Sequence, residues 1–251
     1  MDVLCAQECS GLSESDIQAQ GLYVHTHSNN GQGKCSIISR YPFSGITPNK
    51  YGAYIDLGES IVVLVMNCHG AYFPYGPYQL NGIDYKGFPA TNDVDYVVKV
   101  NKDKRQDMVD KLLEDFHSST TPFVCLSGDF NEPSWLDWTE GALKAGLASY
   151  VVQWPTTRSL WEGGIKGDAY RTIHPDPVTH PGFTWTPRPS KKDTKDRLDL
   201  TLYTLSPNTE VKSCQVIGEN TETSDIVLPN WGPFENVFDH RGLRTEFVFT
   251  K

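Results

Sequence analysis

Residues 122–133 read PFVCLSGDFNEP, an apolar run that stops abruptly at an acid, an amide and a helix-breaking Glu132-Pro133 pair. The run shows no polar alternation, as expected of a strand covered on both faces of its sheet. A second run, IVVLVMN at residues 61–67, leads into Cys68 and His69 in the same way. Two such central strands need a layer on either side. Around them, stretches at 3–6, 22–27, 35–39, 51–57, 61–68, 122–127, 198–203, 211–217 and 243–249, bounded mostly by Gly, Pro, Asn and Ser, predict strands. The best predicted helix is 102–117, where Met108, Val109, Leu112, Leu113 and Phe116 make one apolar stripe. Weaker helices are expected at 13–20, with Ser13 and Asp16 as a capping pair, and at 134–145. With no internal repeat and no linker, these elements predict one α/β domain over 1–251: two packed, mostly antiparallel sheets with outer helices.

Composition removes several classes. The 22 Lys and Arg against 31 Asp and Glu give a formal charge of −9, which argues against broad attraction to polyanions such as DNA or anionic membranes. A nucleic-acid substrate is therefore disfavoured, although Arg188, Lys191, Lys192, Lys195 and Arg197 form one local cluster, read as a solvated loop. The longest apolar run, 61–66, is far short of the ~20 residues of a membrane-spanning helix. Six cysteines are too few for a disulfide scaffold in a chain of 251 residues. Cys5, Cys68 and Cys125 lie in apolar stretches and read as small hydrophobes. Two long irregular segments stand out. Residues 71–98 carry Tyr72, Phe73, Tyr75, Tyr78, Tyr85 and Phe88, and residues 163–195 carry HPDPVTHPGFTWTPRPSKK. Segments of this length are often functional, and their aromatics equally serve to plug a loop onto the body.

The chemistry sits at strand ends. Glu8 follows the first strand, His69 the 61–68 strand, Asp129 and Asn131 the 122–127 strand, while Asp239 and His240 precede the last strand. Asp199 lies inside an apolar strand, where an uncompensated carboxylate costs several kcal/mol, so a strand-end histidine is its expected partner. If these ends converge, four carboxylates, one amide and two imidazoles share a site. Oxygen donors in such excess suit a hard divalent cation, Mg²⁺ or Mn²⁺, rather than thiolate-bound zinc. A cation of that kind offsets phosphate charge and lowers the pKa of a bound water, which points to hydrolysis at phosphorus.

The ordered set QE (7–8), SRYP (39–42), NxH (67–69), GDFN (128–131), RLD (197–199) and DHR (239–241) resembles the endonuclease/exonuclease/phosphatase superfamily, the metal-dependent phosphoesterases with a pancreatic-deoxyribonuclease-like fold. The resemblance runs from residue 2 to about 249, and GDFNEP is its most specific part. It implies a four-layered α/β sandwich and a divalent metal, Mg²⁺ or alternatively Mn²⁺ or Ca²⁺. It also implies Glu8 as principal metal ligand with Asp239 helping. Asp129 and Asn131 would flank the phosphate, binding a second metal or polarising the attacking water. His240, held by Asp199, would be the general base. His69 would donate a hydrogen bond or a proton, a stabilising and an acid role being equally open, because residues 31–38 (GQGKCSII) supply no carboxylate to partner it. Arg171 would reach a substrate phosphate or, paired with Asp168, hold its loop. Against the family pattern the chain starts at the second strand, so the first strand with its Asn is expected to be lacking. The compartment stays open, with secretion expected if a signal peptide preceded residue 1. The expected activity is that of a monomeric phosphodiesterase for a small organic or lipid-headgroup phosphate. A nuclease of the same superfamily and a degenerate phosphate-binding module are the alternatives.

Overall fold

The computed structural model describes residues 1–28, 33–187, 193–220, 223–228 and 239–250. The first part of the chain forms β1 (Val3–Ala6), α1 (Glu14–Ala19), β2 (Tyr23–Ser28), β3 (Lys34–Ser39), β4 (Phe43–Ile46), β5 (Gly52–Asp56) and β6 (Val62–His69). The middle adds α2 (Gly76–Leu80), α3 (Val94–His117), β7 (Val124–Asp129), α4 (Glu140–Lys144), α5 (Pro155–Glu162), β8 (Gly167–Asp168) and α6 (Ala169–Ile173). The last part contributes β9 (Asp199–Tyr203), β10 (Thr209–Gly218), β11 (Ile226–Val227) and β12 (Gly242–Phe249).

The centre is a six-stranded sheet ordered β4-β5-β6-β7-β9-β8, in which only β6 and β7 run parallel. Its middle strands are the two continuously apolar runs, and β6 is buried from Val63 to His69. One face packs under α3 through Met108, Val109 and Leu112 against Leu64, Met66, Val124 and Leu126. The opposite face meets two three-stranded sheets, β1-β3-β2 and β11-β10-β12. A second core of Ile37, Ile55, Val63, Val65, Cys125, Val211 and Val216 joins all three sheets. The layering is the expected α/β sandwich, with its second sheet in two halves.

Register places the chemistry. His69 on β6 is the Cα partner of Asp129 on β7, and Asp129 is the partner of Asp199 on β9, so three strands present three polar side chains at one end of the sheet. Gly128 makes the pairing possible: a Cβ there would stand 2.2 Å from the Cys68 carbonyl oxygen.

Elements depart from expectation in several places. The long helix begins at Val94, eight residues early, because Asp93 caps it by accepting the Tyr96 N–H at 3.0 Å and because Val97 and Asn101 continue its buried face. The helix expected at 134–145 shrinks to α4, since Ser134 spends its hydroxyl on Asp168 at 3.2 Å and Thr139 supplies the cap instead. The irregular segment 163–195 contains β8 and α6. Of the basic cluster, Arg188, Lys191 and Lys192 lie outside the described residues, while Arg197 is fully buried between Asp137 and Asp168 rather than solvated. No helix among the described residues is long and apolar enough to cross a membrane.

Candidate active site

Asp199 finds the partner its position demands. His240 Nδ1 lies 2.8 Å from Asp199 Oδ2, and the other ring nitrogen, Nε2, lies 3.8 Å from Asp129 Oδ2. The carboxylate thus fixes which nitrogen faces the site. Thr184, fully buried in the PGFTWTP segment, steadies this strand end by accepting the N–H groups of Leu198 and Asp199 on its hydroxyl, each at 3.0 Å. Next to His240, the Arg241 guanidinium pairs with Glu219 and donates to the Phe183 carbonyl at 2.9 Å.

Asp129 is the hub. Its Oδ1 accepts the Asn131 N–H at 2.8 Å, and its Oδ2 accepts the Asn131 side-chain amide at 3.0 Å. Burial opposes its ionisation, but the positive charge of His240, the contact with His69 and the Asn131 N–H outweigh that and hold the carboxyl below the usual carboxylate range. Burial likewise opposes the His240 imidazolium, yet Asp199 and Asp129 prevail and push the ring up to about 10.

His69 is buried, and its Nε2 lies 3.4 Å from Asp129 Oδ2 and 3.6 Å from Glu8 Oε1. The acidic neighbours that residues 31–38 do not provide therefore come from β7 and from the end of β1. Glu8 and Asn131 both hold positive φ, 54° and 49°, a conformation that Asn tolerates and that is costlier for Glu. Behind them, Asn67 stitches three strands: it accepts from Gln7 at 2.6 Å and donates to the Ala6 and Ser36 carbonyls, both at 3.0 Å. Asn67 belongs to the NxH motif, yet nothing in the sequence separates this stitching role from a ligand role.

One expectation needs adjustment. Arg171 does not face the cluster: its guanidinium donates to Asp137 at 2.8 Å and to the carbonyls of His174, His180 and Pro181, and it is buried. Its loop-holding alternative describes it, with Asp137 rather than Asp168 as the acidic partner of the side chain. Asp239 is exposed beside His240, and its carboxylate helps to raise the pKa of that ring. The Glu8 side chain is 74% exposed and touches the cluster through His69.

The donor set fits a hard divalent cation. Among the described residues, Asp129, Asp199 and His240 offer ligand atoms within 4.8 Å of one another, and His240 Nδ1 is already committed to Asp199. Carboxylate and amide oxygens from Asp129, Asn131 and the outward Glu8 surround the same strand ends, as oxygen-preferring ions require.

An oriented imidazole, a second histidine and clustered hard oxygen donors at one end of a two-sheet sandwich are chemically suited to hydrolysis of phosphate esters. The chain belongs to the Endonuclease/Exonuclease/phosphatase family, whose sequence profile matches residues 1–225. It is 31% identical over 143 residues to an uncharacterized protein of Caenorhabditis elegans, an alignment covering 56% of this chain and 44% of that protein, so the chain matches less than half of that relative's length. Among solved structures, it is similar to a 3′ phosphatase from Neisseria bound to a product DNA hairpin (TM-score 0.58, 15% identity, 99% of this chain and 89% of that one). It is also similar to an AP endonuclease from Archaeoglobus fulgidus (0.52, 18%, 100% and 89%) and to the human Nocturnin catalytic domain with a bound sulfate anion (0.52, 15%, 99% and 81%). At these identities the likeness is one of fold.

Proposed function

We propose that this chain is a divalent-metal-dependent phosphodiesterase acting on small organic or lipid-headgroup phosphates by in-line attack of water. The observation that carries the reading is the His240 ring, tied through Nδ1 to Asp199 and turned through Nε2 toward the Asp129–Asn131 pair. His240 takes the proton of the attacking water, Asp199 keeps the ring oriented and stabilises its charged form, and Asn131 with Asp129 positions the phosphate and the water. His69 donates to a phosphoryl or leaving oxygen from the opposite side of Asp129. Glu8, Asp129, Asn131 and Asp239 are the residues that would hold the metal, Mg²⁺ first and Mn²⁺ or Ca²⁺ as alternatives. When bound, such a cation supplies positive charge to the phosphoryl oxygens and offsets the carboxylate charge that retains the proton on His240.

The substrate class rests on the surroundings of His240. The Trp185 ring lies 6.5 Å from the His240 ring, Tyr78 lies 5.8 Å from Trp185, and Tyr85 lies 5.3 Å from Tyr78, all half-buried. Asp193 fixes the Tyr78 hydroxyl at 2.7 Å, and the neighbouring Tyr75 hydroxyl donates to Asp196 at 2.6 Å. This aromatic row offers apolar contact to an ester group.

The test is hydrolysis of bis-p-nitrophenyl phosphate and p-nitrophenyl phosphate with Mg²⁺, Mn²⁺ or Ca²⁺ and with chelator, on the wild type and on His240→Ala. The diester is expected to turn over faster than the monoester, to stop with chelator, and to lose about 10²–10⁴-fold in the variant. Chelator-resistant turnover contradicts the reading, and salt-sensitive cleavage of DNA in preference to both esters replaces it with a nuclease.

A further inference from the structure

Arg105 lies in the middle of α3, is 1% exposed, and belongs to none of the sequence motifs. Its guanidinium reaches out of the helix into the two loops that carry the site. Nη2 donates to the carbonyls of Ala71 (2.5 Å) and Pro74 (3.1 Å), which follow His69, and to the carbonyl of Asn131 itself (2.8 Å). Nη1 is braced by Asn101 Oδ1 at 2.9 Å, one turn back on the helix, and stands 3.8 Å from the buried Glu132 carboxylate. Glu132 in turn accepts the Thr156 N–H at 2.7 Å at the start of α5. One cation thus grips both strand-end loops from behind and anchors them to the helical layer.

The grip falls where the backbone is least tolerant. Asn131 holds φ at 49°, so its carbonyl leaves the strand direction and needs an outside donor. The two loops are also stapled to each other: Gly70 donates its N–H to the Asp129 carbonyl at 2.7 Å, and the Asn131 amide donates to the Gly70 carbonyl at 3.1 Å. A Cβ on Gly70 would meet the Phe130 carbonyl oxygen at 2.1 Å, so the loops touch backbone to backbone. Any displacement of the Ala71 or Asn131 carbonyl is passed directly to His69, Asp129 and the Asn131 side chain.

We propose that Arg105 is a positioning residue for phosphoester hydrolysis, fixing the spacing between His69 and the Asp129–Asn131 pair through three carbonyl groups. The proposal rests on the phosphoesterase reading above. It acts on turnover rather than on affinity, because a misplacement of about 1 Å costs about 10²-fold in rate while ground-state contacts persist.

The test uses the full chain with Arg105→Met, Arg105→Lys and, as a matched loss of core packing on the same helix, Leu112→Ala. Each variant is assayed on bis-p-nitrophenyl phosphate with Mn²⁺ well below its own melting temperature. The Asn131 side-chain amide is followed by NMR, its resonances identified by their loss in Asn131→Asp. Arg105→Met is expected to lower kcat about 10²-fold with KM held within about threefold, and to move the Asn131 amide signals. Arg105→Lys, which keeps the charge and three donors, recovers part of kcat. Leu112→Ala loses stability and keeps its turnover. An unchanged kcat with an unmoved amide in Arg105→Met overturns the proposal, as does an equal loss of kcat in Leu112→Ala. If Arg105→Met does not fold, Arg105→Lys decides by the same two readouts. If the wild type turns over no phosphoester, the parent reading fails and the amide signals alone decide: a shift supports positioning, and unmoved signals reject it.

Discussion

Asp199 and Arg171 mark the two extremes of what a single residue discloses. A carboxylate inside the run LDLTLY calls for a partner on physical grounds alone, and the structure supplies His240 at 2.8 Å. An arginine in a Pro- and His-rich loop carries no comparable signal. A guanidinium satisfied by Asp137 and three carbonyls has the same sequence as one waiting for a phosphate. Thr184 and Arg105 were invisible for a related reason, since their work is done on backbone groups that sequence does not place in space. At this scale Asp199→Asn is the informative change. An amide cannot stabilise the charged ring and presents donor and acceptor in either orientation, so kcat is expected to fall about 10²–10⁴-fold with KM little altered. Steady-state kinetics checks this, and a rise in KM at constant kcat would assign Asp199 to substrate binding instead.

Strands were more legible than helices. All nine predicted strands form, because apolar continuity or alternation is a local signal. β4 was missed because Ser44 and Gly45 break its pattern, and the pairing itself shifts register between Phe43 and Gly45. The first half of α3 was missed because its valines face a separate small core around Trp138 and Trp154 that only the fold brings together. The convergence of GDFN with NxH depends on a register that periodicity cannot give, and Gly128 is its physical key. Gly128→Ala would thrust a methyl group to 2.2 Å from the Cys68 carbonyl oxygen, and two hydrogen-bonded backbones have no easy way to part. Urea unfolding is expected to show a loss of about 1–3 kcal/mol or more, with turnover falling beyond what the unfolded fraction explains. An unchanged unfolding midpoint would mean that β6 and β7 are less tightly paired than their register implies.

For the molecule as a whole, pH sets a limit through a residue outside the proposed catalytic set. His27 is buried, and burial first, then the charge of the stacked His25, lower its pKa to about 4. Unfolded chain takes up a proton on this ring below 6.5, whereas folded chain resists until about 4, so between these values the unfolded state binds more protons and stability is lost as the pH is lowered. The loss from this group approaches about 3 kcal/mol by pH 4. Denaturation in urea across pH 7 to 4 measures it, and His27→Phe is expected to flatten that part of the profile; an equally steep profile in the variant would place the cause elsewhere. The site, too, is a property of the whole molecule. Its groups run from Glu8, just beyond β1, to His240, just before β12, and those two strands sit in different halves of the second layer. A ribosome delivers this chain from its amino end, so Glu8, His69 and Asp129 emerge and can begin to fold long before residue 240 leaves the exit tunnel. In a nascent polypeptide, or one terminated before residue 240, the proposed proton acceptor is consequently missing, and on the proposed reading no hydrolysis begins until β12 has been made.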